Sequence, residues 1–178
     1  LLAEGARYLS KQDWRRAART CREAIALKPD KPTAYFNLGA VLANSEHLVD
    51  AAQRFLEAKE RYHVVSEDWA EATALAFIML TQEECAEAAK PEWWNDEELK
   101  VLSARVVRAA PDNMTANEMR AAVLRGRCGA WETGSRSAAE LKQAATHFDR
   151  AAELCSAPAI KAEFAGDAAW CRSQADAM

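Results

Sequence analysis

The chain has 178 residues, half of them apolar, with a formal net charge of −4 and an isoelectric point of about 5.5. Six glycines and five prolines are too few for a turn-rich all-β protein, and the acidic balance lacks the basic footprint of nucleic-acid-binding proteins. The longest uninterrupted apolar run, residues 74–80, is far shorter than the roughly 20 residues that a membrane-spanning helix needs. We therefore expect a helical protein with no membrane span and no nucleic-acid partner.

The first half of the chain repeats itself at a fixed spacing. Its four predicted helices lie near residues 2–10, 12–27, 32–44 and 47–61. A shift of 34 places Gly5 on Gly39 and Cys21 on Phe55. Alanines coincide at two further positions, Ala17 with Ala51 and Ala24 with Ala58. Small residues let two helices approach closely, and each helix pair then leaves an apolar face that only the next pair can cover.

This pattern resembles the tetratricopeptide repeat family. The second unit reads Tyr35-x2-Leu38-Gly39-x2-Leu42 and then Ala51-x3-Phe55-x2-Ala58. The resemblance implies an all-α fold, a right-handed superhelix of about four antiparallel helix pairs with a C-terminal capping helix, in a single domain over residues 1–178. The chain begins inside the pattern and without Met, so we expect it to be part of a longer chain.

The second half departs from the period. Its predicted helices lie near residues 67–89, 95–110, 113–127, 136–155 and 158–176. Thr73 stands where the period places glycine, and Pro111 comes well after position 97, where the period places the closing proline. A further insertion precedes the motif Ala144-x3-Phe148-x2-Ala151. The resemblance is thus good over residues 1–69 and degenerate over 70–178. In the last helix, Phe164, Ala168 and Trp170 are expected to cover the final repeat.

Three tryptophans fall in the inserted segments. Asn95 is a predicted helix N-cap with Glu98 three residues on, a pair that resembles a capping box, and Trp94 and Leu99 have the spacing of a hydrophobic staple. Trp93 has no such local role, so it either fills a gap made by the insertion or is exposed as a contact. Trp131 lies in a glycine-rich loop and is either folded back or used for recognition.

No catalytic or metal-binding pattern stands out. None of the three histidines has a second His or Cys at zinc spacing, and His147 and Cys155 lie about 12 Å apart along one predicted helix. Five cysteines without a Cys-x-x-Cys motif do not form a typical disulfide framework. We expect no cofactor, no metal and no enzymatic activity. We also expect free, mostly buried cysteines and a reducing intracellular location such as the cytoplasm.

The resemblance implies a non-catalytic protein-interaction module whose groove takes a peptide or a partner helix. Tyr35, Leu38 and Leu42 share one helix face and point into the helix pair, so the opposite face carries the candidate contacts. These are Phe36, Asn37, Ala40 and Asn44 in the second repeat and Phe77, beside Ala70 and Ala74, in the third, with Trp93 and Trp131 as further candidates. Alternatively, the C-terminal helix or segment 81–95 fills the groove.

Charge is unevenly distributed along the chain. Residues 1–31 hold eight Lys or Arg against four Asp or Glu, whereas residues 66–99 hold one Lys against ten Asp or Glu. These regions are either solvated outer faces or docks, including docks between two copies of the chain. Two other functions also remain open: a structural subunit of a larger assembly, and a regulatory or targeting domain of a longer enzyme.

Overall fold

A computed structural model describes residues 2–178. This part of the chain contains nine α-helices, which confirms the all-α helical-repeat prediction. The chain divides into two compact units, with the boundary between Ala88 and Ala89. We call them unit 1 and unit 2, and within each unit successive helices pack against one another.

Unit 1 holds five α-helices and one 3-10 turn. The helices are α1 (Leu2–Ser10), α2 (Trp14–Leu27), α3 (Pro32–Asn44), α4 (Leu48–Arg61) and α5 (Glu67–Leu80), and the 3-10 turn is Glu83–Cys85. Unit 2 holds four α-helices and a small hairpin. These are α6 (Asp96–Ala109), α7 (Met114–Arg125), β1 (Arg127–Cys128), β2 (Trp131–Glu132), α8 (Ala138–Leu154) and α9 (Pro158–Asp176).

The 34-residue period is also present in the backbone hydrogen bonds and dihedral angles of the turns in unit 1. The Asp13 N–H donates to the Tyr8 carbonyl at 3.0 Å, and one period later the His47 N–H donates to the Leu42 carbonyl at 2.9 Å. Each turn also contains one non-glycine residue with positive φ, Gln12 at 57° and Glu46 at 62°. The sequence repeat is therefore a repeat of turn geometry as well as of side-chain size.

Helices α3 and α4 are in close contact at Gly39. A Cβ built on Gly39 would lie 2.9 Å from two carbons of the Phe55 ring, a distance that side-chain atoms do not adopt without a shift. The equivalent pair one repeat earlier is looser, because a Cβ on Gly5 would lie 3.5 Å from the Cys21 sulfur. Glycine thus marks the close helix contact, as predicted.

The predicted helix over residues 67–89 is wrong beyond residue 80. Helix α5 ends at Leu80 because two side chains satisfy the carbonyl that a further turn would use. The Thr81 hydroxyl donates to the Ile78 carbonyl at 2.7 Å, and the Gln82 amide donates to the same oxygen at 3.1 Å. Gln82 then has an extended backbone, with φ −72° and ψ 151°. No antiparallel α-helix follows α5 within unit 1.

The glycine-rich loop after α7 forms an unpredicted hairpin. Helix α7 ends at Arg125 because Gly126 adopts the left-handed conformation with φ 80°, which places the helix end two residues earlier than predicted. Strands β1 and β2 then pair antiparallel, with Cys128 opposite Trp131 and Arg127 opposite Glu132. The two-residue strands turn the chain back toward α8.

Helix α9 packs on α8 as predicted, although Trp170 does not take part. The rings of Phe148 and Phe164 stack with centroids 6.2 Å apart, and Ala168 and Cys171 are fully buried. Trp170 is 46% exposed because it lies off the face that Phe164, Ala168 and Cys171 share at helical spacing. The prediction that Trp170 covers the last repeat is therefore wrong.

Candidate functional site

The predicted contact residues of α3 lie on a partly exposed face of unit 1. Phe36, Asn37 and Ala40 are half-buried, and Asn44 is exposed. The opposite face of α3 is core, as expected, since Tyr35, Leu38 and Leu42 are between 2% and 6% exposed. We call the face formed by Phe36, Asn37, Ala40 and Asn44 the α3 strip.

Two side chains of the α3 strip are anchored within unit 1. The edge of the Phe36 ring meets the rings of Phe55 at 5.5 Å and of Tyr62 at 6.4 Å. The Asn44 amide donates to the Ala40 carbonyl at 2.7 Å, so its NH₂ group is turned back onto its own helix. Phe36 thus forms a rigid aromatic edge of the strip. Ala40 lies beside it and has only a small side chain.

Phe77 does not extend the α3 strip onto α5. Its exposure is 0%, as is that of Ala70 and Ala74, its predicted neighbours on an open face. The half-buried positions of α5 are Glu71, Leu75, Ile78 and Met79. The prediction that Phe77 is an exposed contact residue is therefore wrong.

Apolar residues from three helices border the same core as the α3 strip. Leu9 of α1, Ala43 of α3, and Leu75 and Met79 of α5 are partly buried against the cluster that contains Leu38, Val41 and Phe55. These helices are the first members of their repeats, which is where the family resemblance places a groove. A cleft of about 320 Å³ lies among α2, α3 and α4, with charges supplied by Arg22, Asp50 and Arg54.

The tryptophans of the two insertions come together in unit 2. The Trp94 ring lies 5.8 Å from Trp93 and meets the edge of Trp131 at 6.5 Å, with the Lys90 ammonium 5.7 Å from its centroid. All three tryptophans are half-buried. Trp93 and Trp131 therefore both pack against Trp94 and keep part of their surface in solvent. Each lies between the two alternatives that the sequence left open, full burial and full exposure.

Of the two hydrogen bonds predicted for a capping box at the N-terminus of α6, one is formed. The Asn95 side-chain oxygen accepts a hydrogen bond from the Glu98 N–H at 3.0 Å. The reciprocal bond of a capping box is not formed, because the Asn95 N–H donates to the Trp93 carbonyl at 2.9 Å. A complete capping box occurs instead at Ser137 and Glu140, where the Glu140 carboxylate accepts from the Ser137 N–H at 2.8 Å.

A buried arginine that sequence reasoning missed ties the segment between β2 and α8 to helices α6 and α7. Arg136 binds the Asp96 carboxylate through both terminal nitrogens, at 2.9 and 2.5 Å, and donates to the Val123 carbonyl at 3.0 Å. This pairing holds the pKa of Asp96 below its usual range. Lys100 joins Asp96 to Glu140, and its hydrogen bond lowers the pKa of Glu140 to about 2.

His147 is half-buried in unit 2, and most of the cysteines are buried. The His147 ring nitrogen Nδ1 lies 3.0 Å from the Asn117 side-chain oxygen, and burial lowers its pKa. The cysteines are all free, and four of them are buried, namely Cys21, Cys85, Cys155 and Cys171. Over residues 2–178 no cluster of His, Cys, Asp and Glu is arranged to hold a metal ion, and no described helix is long and apolar enough to cross a membrane.

The family profile described as TPR repeat matches residues 5–45. The tetratricopeptide resemblance is confirmed. The match covers most of α1 and all of α2 and α3, including both glycine positions and the whole α3 strip. No curated protein matches the chain significantly. Tetratricopeptide repeats generally mediate protein–protein interaction.

Proposed function

We propose that the chain is a non-catalytic protein-interaction module that binds a peptide or an amphipathic helix of a partner along the α3 strip. The observation that carries the proposal is the combination of Ala40, a small half-exposed residue, with the fixed aromatic edge of Phe36 beside it. A small side chain leaves room for a foreign backbone, and a rigid ring supplies apolar area at little entropic cost.

The borders of the strip favour a partner with an apolar face. Leu9, Leu75 and Met79 are only partly buried around the same core, so a bound segment would cover them as well. Methionine and leucine adapt to different side chains, which suits a groove for amphipathic segments. Asn37 and Asn44 can form hydrogen bonds with a peptide at the margins.

The test uses peptides selected by phage display against the full chain and measured by calorimetry. Ala40→Arg places a long charged side chain in the middle of the strip, where the wild type has a small one. We therefore expect the affinity for the selected peptides to fall by about tenfold or more. Gln53→Arg is the matched control, since Gln53 is an exposed residue of α4 in the same unit and lies outside the α2–α3–α4 cleft. Both variants should retain the wild-type circular dichroism spectrum.

Two results would contradict the α3 site. If Ala40→Arg unfolds the chain while Gln53→Arg does not, the strip is core. If Ala40→Arg folds and binds every selected peptide with unchanged affinity, the peptides bind elsewhere.

The tryptophan cluster favours a second candidate function, that of a structural subunit contacting a neighbour through its insertions. Half-buried aromatic rings are typical anchors of protein interfaces. If this candidate is right, Trp93→Ala should abolish incorporation into the assembly, whereas Ala40→Arg should not affect it.

A further inference from the structure

The face of α7 that packs toward α8 and α9 carries a carboxyl group in an otherwise apolar setting. Met114, Glu118 and Ala121 follow one another at helical spacing, so they lie on the same side of α7. Ala121 is fully buried in the cluster that contains Phe148 and Phe164, and Met114 packs against the same cluster. Glu118 is half-buried between them. It therefore lies where α7 meets the last two helices.

The arginine on this face of α7 is committed to other groups. Arg125 lies seven residues after Glu118, and its Nη1 binds the Asp167 carboxylate of α9 at 2.6 Å. Its Nε donates to the Arg127 carbonyl at 3.1 Å, and its guanidinium lies over the Phe148 ring, 4.8 Å from the centroid. Arg125 thus joins α7 to α9, whereas the Glu118 carboxyl forms no ion pair or hydrogen bond within residues 2–178.

The charges that α9 presents to Glu118 are both negative. Asp167 and Glu163 are one turn apart on α9, and together with Arg125 they are the charged groups that act on this carboxyl. Burial and then these two negative charges, opposed by Arg125, raise the pKa of Glu118 to about 7. When Glu118 is ionised, three carboxylates therefore share one guanidinium between α7 and α9.

The other helices beside α7 hold their ionisable groups in separate contacts. On α8, His147 faces Asn117 and Arg150 binds Asp112. Arg120 of α7 turns to α6, where it donates to a carbonyl and to a hydroxyl oxygen. None of these groups is among the charges that act on the carboxyl, so its ionisation changes the contact with α9.

We propose that α9 is a pH-dependent latch, which stays docked while Glu118 is protonated and is released more often once Glu118 is ionised. Release returns the Glu118 carboxylate to water and separates it from Asp167 and Glu163. It also uncovers the Phe148 ring of α8, on which Phe164 stacks in the docked state. The latch lies within unit 2, and it does not depend on whether the α3 strip binds a partner.

Docking of α9 is strongest at low pH. In the released state the carboxyl is in water, so its pKa returns to the ordinary 4.5, whereas the docked state holds the pKa at about 7. Docking is therefore complete below 4.5 and weakens as the pH rises to about 7. Between about pH 5.5 and about pH 7.5 we expect the equilibrium constant for release to rise about tenfold, less than the full shift implies because the carboxyl is partly exposed.

Hydrogen exchange of the full chain, followed by mass spectrometry, measures the release of α9. Exchange rates are converted to protection factors at about pH 5.5 and about pH 7.5, which removes the pH dependence of the chemical exchange step. In the wild type the protection of α9 should fall about tenfold, and α9 should be less protected than α6 at both pH values. Glu118→Gln, which keeps the side-chain size but cannot ionise, should show no fall.

Two exposed carboxylates of unit 2 provide further variants that leave the core unchanged. Glu97→Gln removes a carboxylate from α6 and should keep the wild-type response. Glu163→Gln removes one of the two negative charges that α9 presents to Glu118, so the protection of α9 should fall less than in Glu97→Gln. This comparison tests the latch even if Glu118→Gln does not fold.

Four results would overturn the inference. No fall in the wild type would show that α9 docking does not respond to pH, and an equal fall in Glu118→Gln would assign the response to another group. An unchanged response in Glu163→Gln would remove the role of the α9 charges. Equal protection of α9 and α6 would show that unit 2 opens as a whole and does not release α9 alone.

Discussion

Gly39 lies so close to Phe55 that the α3–α4 contact has no room for one additional carbon atom. The predicted consequence is that Gly39→Ala lowers the free energy of unfolding by about 1–3 kcal/mol, since overpacking forces the ring or the helices apart. Urea denaturation measures this change.

Gly166→Ala provides the matched control for Gly39→Ala. Gly166 is also helical, but a Cβ there meets nothing within 4 Å. Alanine should therefore stabilise α9 by about 0.5–1 kcal/mol through helix propensity alone. Equal effects of the two substitutions would show that the Phe55 contact does not restrict Gly39.

Arg136→Gln should lower the free energy of unfolding of unit 2 by about 2 kcal/mol. This is less than the loss expected on breaking a fully buried ion pair, because the Asp96 side chain is about one-third exposed. The substitution leaves Asp96 without its bidentate partner and removes the donor to the Val123 carbonyl. Arg150→Gln, which breaks exposed pairs with Asp112 and Glu153, is the control and should have little effect. Urea denaturation of both variants checks this, and a loss no larger than that of the control would contradict a structural role for Arg136.

Glu118 should make the fold less stable as pH rises. Burial raises the pKa of Glu118 to about 7, and the negative charges of Asp167 and Glu163 act in the same direction against Arg125. Its contribution to stability is complete below the ordinary pKa of 4.5 and is lost as pH rises to about 7, because the unfolded chain ionises first.

Comparison with Glu118→Gln isolates this effect. The variant should gain about 2 kcal/mol over wild type between about pH 5 and about pH 8, less than the full shift implies because the carboxyl is partly exposed. His147 contributes the opposite slope, since its lowered pKa favours the folded state at higher pH, but it is present in both proteins. A constant difference in urea-unfolding free energy across this range would refute the prediction.

The cysteines should respond to thiol reagents in an order set by burial. Cys128 is half-buried, whereas burial raises the pKa of Cys21 and Cys171 and keeps their thiols protonated. Mass spectrometry of the native protein should show Cys128 labelled first and the other four only on unfolding. The melting temperature should not change with reductant, and a drop on reduction would contradict free cysteines in the folded protein.

Self-association between the basic segment 1–31 and the acidic segment 66–99 of another copy should depend on salt. Arg15, Arg19 and Arg22 are exposed on α2, so they are available to a second molecule. Sedimentation velocity should show association at about 50 mM salt that weakens at about 500 mM. Replacing the three arginines with glutamate should abolish it, and a monomer under all conditions would refute the prediction.

The sequence by itself determined most of the helices of this protein. Hydrophobic spacing, the repeat period and capping residues such as Asn95 act through local chain geometry, and they place the helix boundaries close to where the structure has them. Gly39 was also predictable, because a close contact between adjacent helices requires a small residue in a fixed slot.

Only the tertiary structure decided which inserted residues meet and which faces remain open. Trp94 contacts Trp131, and Asp96 pairs with Arg136 from 40 positions away, and no periodic pattern connects either pair. The same holds for Phe77 and Trp170, whose burial and exposure depend on what packs around them and not on their local pattern. Local interactions fix helices, whereas the placement of an insertion depends on long-range packing that has no repeating signal in the chain.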